Sequence, residues 1–478
     1  VYADARVTRE VSQAISSSFI DNEYYYIGVR VLVNGAWGFA SSPYWTVDEA
    51  AILARAAVDQ ARINASAFPR KVDMGNYPAV KGEWQTPIRI DPFKISPEEK
   101  IDYYFSLESI IPQDITARNL RGRAEFKFNR LEKTIATTDG SLFSQTLYGA
   151  QGEFYLNYEK LNPQSGAVEK KTRIDAKGLD PARAGWELIL DAKLPEQVPA
   201  MLEEGEEHFR LTYKPVDIGR YEMVIDASVV ASLVHSTFGL STQIDRALGY
   251  EANAGGTSYL GPDPFKYLGT SLGTELLTIE GNRNMPRGLA TVKWDDEGVE
   301  PETFSIVSRG VFVDYQTTRE HAAWLAPWYT KQQRPIRSHG CSSSESAGVM
   351  PMQHTPNLAM QPGSEAVTFD DMVRNTKKGI AFVRGGFRSD FQSRRGFGAG
   401  MMREIVDGKL GAVLMGAEIL FDSSQIWKNL LEIGGPGTEA VRSMATAKGQ
   451  PSQSHRYTVS AVPARIKDMA VIDGRHKG

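Results

Sequence analysis

Cysteine is almost missing: Cys341 is the single one in 478 residues. One thiol excludes an internal disulfide framework and any zinc site built from several cysteines. A basic surplus is missing too, the formal net charge being -4. That excludes a general polyanion binder, because neutralising phosphates needs excess Lys and Arg or a concentrated basic face. No apolar run is long enough for a bilayer, since the longest, Leu410 to Phe421, is broken by Glu418. Short-period repeats and low-complexity tracts are absent as well. What is present is ordinary for a soluble globular chain with two or three cores: 41% hydrophobic and 23% charged residues. The sequence opens "VYADARV", with neither methionine nor a signal-like apolar segment. It reads as trimmed upstream, which leaves the compartment open.

Patterning along the chain reads as α+β. "YADARV" and "YYYIGVRVLVNGAWGFASS" give strands around the turn pair Asn34-Gly35. Thr46 and Glu49 then predict the capped start of an alanine-rich helix. Prolines at 69, 78, 87, 92 and 97 read as a linker. Ser96 and Glu99 open a second helix, and Asp139-Gly140 predicts a hairpin between two β-rich runs. "PARAGWELILDAKLPEQVPAMLEE" returns to helix, and a boundary falls near Tyr213 to Gly219. Beyond it the chain is strand-rich: "GLATVKWDDEGVEPETFSIVSRGVFVDYQTT" reads as strands with turns, and Asp407-Gly408 as another hairpin. Thr368 and Asp371 predict a capped helix through "FDDMVRNTKKGIAF". The expected organisation is an N-terminal strand-helix domain (1–90), a small middle α/β domain (91–215) and a large C-terminal antiparallel β-sheet domain (216–478).

Several stretches carry possible chemistry, each with a plainer reading beside it. "GTSLG", Gly269 to Gly273, fits the G-x-S-x-G pattern, but a nucleophilic Ser271 needs a strand before it and a helix after. Here the approach is broken by prolines and the exit reads as strand. Cys341, two residues after His339, sits in a serine-rich segment that reads as an exposed loop rather than an activated thiol. Arg384, Arg388, Arg394, Arg395 and Arg403 alternate with Phe387, Phe391 and Phe397. Such mixing suits single-stranded nucleic acid, but one such stretch in a mildly acidic chain reads rather as a glycine-loosened strand pair lining a groove, with no nucleic-acid partner expected. "EEGEEH", Glu203 to His208, reads as a solvated helix end rather than a cation site. His235, in "ASLVHSTFGLSTQID", reads alone as a hydrogen-bonded core histidine.

The order of segments changes that last reading. "TTDGSLFSQTLYG", the His235 stretch, "GLATVKWDDEGVEPETFSIVSRGVFVDYQTT", "SESAGVMPMQHTPNLAMQPG", "SRRGFGAGMMREIVDGKLGAV", "SSQIWKNLLEIGG" and "PARIKDMAVIDG" follow one another as in the TldD/PmbA family. "YADARV" and "SSPYWTVDEAA" extend the resemblance over essentially the whole chain. The family includes zinc metallopeptidases and proteins called modulators of DNA gyrase. In its catalytic branch the resemblance implies a helix reading H-E-x-x-x-H and a cysteine near the C-terminus as third ligand. Water then takes the fourth position and the glutamate its proton. Two histidines five apart lie about 140° apart on a regular helix, so that helix must distort to aim both at one ion.

Carried over position by position, only part survives. His235 matches the first histidine, Ser236 stands for the glutamate and Leu240 for the second histidine. Asp245 keeps an acid that follows the motif, and the cysteine segment is "TAKG", Thr446 to Gly449, without a cysteine. A hydroxyl is no carboxylate base and leucine binds no zinc. The resemblance therefore implies a TldE-like member with no intact catalytic set, no metal and no cofactor. It would bind unfolded peptide in a cavity shared with a partner, either a catalytic TldD-like subunit or a second copy. The alternative is a divergent metallopeptidase whose replacement ligands gather around His235, with His455 as the candidate substitute.

Overall fold

A computed structural model describes residues 1–67, 70–111, 118–162 and 164–476, and it is α+β as the sequence implies. Its first sheet holds β1 (Tyr2–Ile15), β2 (Phe19–Val33), β3 (Ala36–Ser42), β4 (Lys81–Gln85), β5 (Arg118–Thr137), β6 (Leu142–Leu161) and β7 (Val168–Asp175). The order is β3-β2-β1-β5-β6-β4, with β7 also on β6. Asn34 and Gly35 both adopt positive φ, 50° and 79°, giving the mirror-image turn that matches strand twist in a two-residue hairpin. Thr46 caps the helix Val47–Ala67 by accepting from the Glu49 N–H at 3.1 Å. That helix lays Leu53 and Ala57 on Ile27, Val29 and Val31. Gly38 permits the approach, since a Cβ there would lie 1.9 Å from the Ala57 carbonyl oxygen. On the β5–β6 hairpin, the helices Pro97–Ser109 and Leu194–Arg210 seal a second core around Phe126, Phe128, Phe154 and Trp186.

Some elements differ from expectation. The proline-broken stretch contains β4, which pairs in parallel with β6 from Lys81↔Leu142 to Gln85↔Thr146. The first sheet thus takes strands from both sides of residue 90; Pro69 lies outside the described residues. The capping box at Thr368 and Asp371 forms, but its helix is only Phe369–Arg374. The β-prone "IAFV" that follows belongs instead to the strand Lys378–Ser389. Residues 289–303 are turns and loop rather than strand, and they bring Asp295, Asp296 and Glu297 into the interior.

The C-terminal part carries two principal sheets. In one, Val311–Phe312, Phe304–Ser308, Ile279–Gly281, Leu358–Met360, Gln453–Ala461 and Ala440–Lys448 follow in that order. In the other, Lys378–Ser389, Gly219–Ile225, Ala464–Asp473, Ala417–Asp422 and Arg395–Val406 form a ring, because the first and last also pair. Most pairings are antiparallel, but Leu358–Met360 runs parallel to Gln453–Ala461, and Gly219–Ile225 parallel to Lys378–Ser389. Between the sheets lies the helix Ala227–Val234, with Val229, Val230, Leu233 and Val234 fully buried.

Ion pairs tie the two halves together, two of them buried on both sides. Lys133 on β5 holds Asp296 at 3.0 Å, Arg30 on β2 holds Glu297 at 3.3 Å, and Arg319 holds Asp139 at 3.0 Å. Among the described residues no helix is long and apolar enough to cross a membrane.

Candidate functional site: the His235 turn

Asp226 starts the central helix by accepting from the Ser228 N–H at 2.9 Å. At His235 the helix widens into a π turn, His235–Gly239. Such a turn closes i to i+5, so residues five apart are brought over one another instead of being splayed. The distortion that the two-histidine motif requires is therefore built into this chain, although the second position is Leu240. Side chains add hydrogen bonds to the carbonyls in and around the wider turn. Thr237 Oγ1 donates to the Leu233 carbonyl at 2.8 Å and Thr242 Oγ1 to that of Phe238 at 2.7 Å. Gln316 Nε2 and Thr355 Oγ1 both donate to the Gly239 carbonyl, at 2.9 and 2.8 Å.

Each motif position has a definite partner. His235 Nδ1 lies 2.5 Å from the hydroxyl of Tyr457, which is fully buried. A phenol hydroxyl can donate or accept, so the direction of this bond follows the tautomer of the ring. Burial, reinforced by the Arg442 guanidinium, lowers His235 to about 4 and keeps it neutral at pH 7. Gly239 makes room for this contact, because a Cβ there would be 2.3 Å from the Tyr457 oxygen. Ser236 is buried, and its Oγ donates to the Phe387 carbonyl at 3.0 Å, stitching the turn to the neighbouring strand.

Asp245 and the "TAKG" segment do meet. The Lys448 ammonium lies 2.6 Å from Asp245 Oδ2 and 3.0 Å from Gln243 Oε1, with the Lys448 side chain 1% exposed. Burial pushes the Asp245 carboxyl up, but Lys448, then His321, outweigh it and hold it below the usual range. His455 joins His235 in a row of rings without converging on the same point. It stacks on His354 at 4.5 Å between centroids and on Tyr457 at 6.2 Å, and Tyr457 packs against His235 at 5.8 Å. His455 Nε2 donates to the Thr355 carbonyl at 2.8 Å. Burial first, then Arg283, Arg183 and Lys133, push its imidazole down to about 3.

These residues do not fit a zinc ion. Tetrahedral protein sites use three or four N, S or O donors. Here one imidazole is engaged by a tyrosine hydroxyl, a leucine follows at the second ligand position, an ammonium already neutralises the acid, and His455 lies under the repulsion of three cations. Among the described residues no three His, Cys, Asp or Glu side chains are placed to hold a metal.

The other candidates resolve individually. Ser271 is exposed and donates to the Gly273 carbonyl of its own turn at 3.0 Å; the strand Ile279–Gly281 comes next, not a helix. Cys341 is not in an exposed loop: it is fully buried, and burial pushes its thiol up to about 12. Its segment is pinned inside by the Cys341 N–H donating to the Thr317 carbonyl at 3.1 Å. Phe387 belongs to the core while Phe391 and Phe397 are exposed, so the three phenylalanines do not form one stacking face. Glu203, Glu204 and Glu207 are exposed along the helix Leu194–Arg210, and Glu206 accepts from the Tyr158 hydroxyl at 2.9 Å. Lys448 and Tyr457 were not picked out from sequence. The lysine was visible inside "TAKG", and a charged residue at a ligand position was the available signal.

The family model of the PmbA/TldA metallopeptidase C-terminal domain matches residues 218–471, more than half of the chain. The chain belongs to the PmbA/TldD family. The model for domain 1 of the same metallopeptidases matches residues 5–61. A metalloprotease of Methanocaldococcus jannaschii is 23% identical, over 91% of this PmbA/TldD chain and 92% of its own. Two solved structures share the fold. A candidate modulator of a DNA gyrase from Thermotoga maritima superimposes with TM-score 0.68 at 14% identity, covering 98% of this chain and 95% of its own. TldE from Thermococcus kodakarensis gives 0.63 at 12% identity, covering 98% and 96%. At such identities the likeness of PmbA/TldD structures is one of fold.

Proposed function

We propose that this chain is a TldE-like, non-catalytic subunit of a PmbA/TldD-type peptidase assembly, binding unfolded peptide in a cavity shared with a partner subunit. One observation carries the reading: the Lys448 ammonium, 2.6 Å from Asp245, stands in the segment where the family's catalytic branch has its cysteine ligand. A buried cation there repels a metal ion and leaves the acid no free charge to offer one. Ser236, tied to the Phe387 carbonyl, supports the same conclusion, since the position of the catalytic base holds a structural hydroxyl. The π turn and the Tyr457–His235 contact keep the shape of a site without its donors. Peptide binding needs none of them. The strand Ala440–Lys448 stands last in its sheet and carries Lys448, so an extended peptide can add to its edge through backbone hydrogen bonds.

The test is elemental analysis of protein purified without chelators, joined to a peptide-hydrolysis assay of the chain alone and with a catalytic PmbA/TldD subunit. The reading expects zinc far below one per chain, no hydrolysis by the chain alone, and association with the catalytic subunit or with itself. One firmly held metal per chain, lost in His235→Ala together with hydrolysis by the lone chain, would instead establish the divergent metallopeptidase.

A further inference from the structure

A cavity of about 580 Å³ lies between the β1, β5 and β6 strands and the C-terminal loops, and Arg183, Arg283 and His455 line it. The two guanidiniums are unusual in their partners. Arg283 is 3% exposed, and its hydrogen bonds go to carbonyls: Nε to Ala290 at 2.9 Å, Nη1 to Gly340 at 2.7 Å and to Ser342 at 3.2 Å. Arg183 has one long bond, Nη1 to the Tyr148 carbonyl at 3.5 Å, and its buried Nε has no partner. Burial and the repulsion of Arg283 bring the Arg183 guanidinium down to about 10.

Among the described residues neither arginine has a carboxylate within ion-pair distance, whereas Lys133 in the same cavity has Asp296. The acids lining the cavity are Glu10, Asp296 and Glu345, and among the described residues none of them is paired with either arginine. Asp296 also accepts from the Ser344 hydroxyl, and Glu345 accepts from the Ser454 N–H at 3.0 Å. Asp295 acts on Arg283 from farther off, its oxygens taken by the N–H groups of Glu297, Val299 and Ser342. Two guanidiniums close enough to repel each other, neither with a paired acid, are costly unless an anion enters between them.

We infer that this cavity is an anion subsite in which Arg183 and Arg283 take the α-carboxylate of a bound peptide. This rests on the peptide-binding reading above and adds which end of the ligand is held and where. Guanidinium matches carboxylate geometry through paired N–H donors, and among the described residues the Arg183 guanidinium makes only the one long bond from Nη1.

Binding of an N-acetylated alanine-rich pentapeptide and of its C-terminal amide to the full chain, measured by calorimetry at pH 7.5, tests it. The free acid should bind at least about tenfold more tightly, the scale of one charge-assisted hydrogen bond. Inorganic phosphate should compete with the acid and not with the amide. Arg183→Gln should remove the preference while leaving the thermal midpoint unchanged or higher, because the repulsion between two unpaired guanidiniums is gone. Arg183→Lys should keep part of the preference. Equal affinity of acid and amide overturns the carboxylate inference and leaves peptide binding standing. A preference that survives Arg183→Gln, or a midpoint that falls without loss of preference, overturns it as well. If neither peptide binds, alone or with a catalytic subunit present, the peptide-binding reading fails and this inference with it.

Discussion

Replacing Lys448 by methionine isolates the consequence of a cation at the ligand position. The substitution keeps most of the side-chain volume but leaves Asp245 Oδ2 and Gln243 Oε1 without the ammonium that reaches both. Asp245 is 9% exposed as a side chain, so water does not replace what is lost. Deleting one member of such a pair costs about 3–5 kcal/mol, roughly two to three and a half powers of ten in the equilibrium. Adding Asp245→Asn removes the orphaned charge. The double variant should lose only about 1–2 kcal/mol, so Asp245→Asn recovers about 2–3 kcal/mol in the Lys448→Met background. The pH dependence fixes the sign. In the native chain the carboxyl is held below its unfolded value, so the pair stabilises above that value and the gain is lost as pH falls through the lower folded one. In Lys448→Met the dominant influence left is burial, which raises the carboxyl, so the penalty is full at neutral pH and shrinks on acidification. Urea unfolding at several pH values, with hydrogen exchange read over residues 235–248, measures both. A single variant as stable as the parent, or a gap that widens as pH falls toward 4, would refute the reasoning.

Three further outcomes follow from the same geometry. Gly239→Ala places a methyl against the Tyr457 oxygen and should cost about 1–3 kcal/mol by overpacking, read as a lowered urea midpoint with loss of protection at His235. Ser236→Glu buries a carboxylate facing the Phe387 carbonyl. It should destabilise by at least about 2 kcal/mol and still bind no stoichiometric zinc, which denaturation and elemental analysis check together. His235, His321 and His455 are lowered to about 4, 4 and 3, and His354 lies well below the ordinary value. The unfolded chain takes up their protons first, so stability should fall as pH drops below about 6.5, by about 1.4 kcal/mol per pH unit for each histidine. Urea midpoints that stay flat between pH 7 and 5 would contradict it.

Local signals carried most of the legible structure. Asn34-Gly35, Asp407-Gly408 and the Thr46 and Thr368 caps depend on a few adjacent residues, and each forms. The end of the helix after Arg374 was not legible, because "TKKGIAF" tolerates helix while its place in a strand is set by partners near residues 223 and 403. β4 escaped notice for a similar reason: five residues between prolines become a strand because β6 offers an edge. In the site, His235 stood out through its motif. Tyr457 and the bond from Gln316 to Gly239 did not, since contacts across 222 and 77 residues leave no local mark. Cys341 was misjudged because three serines beside it suggest solvent, yet Ser342 and Ser344 are themselves buried.

The ions shared between the two halves bear on how the molecule can be dissected. A fragment starting at residue 216 would keep Asp296 and Glu297 but forfeit Lys133 and Arg30, and Arg319 would be stripped of Asp139. The complementary fragment would keep Arg30 on Asp4 but leave Lys133 without Asp296 and Asp139 without Arg319. Cutting the chain there therefore bares, on both pieces, charges that the intact molecule pairs.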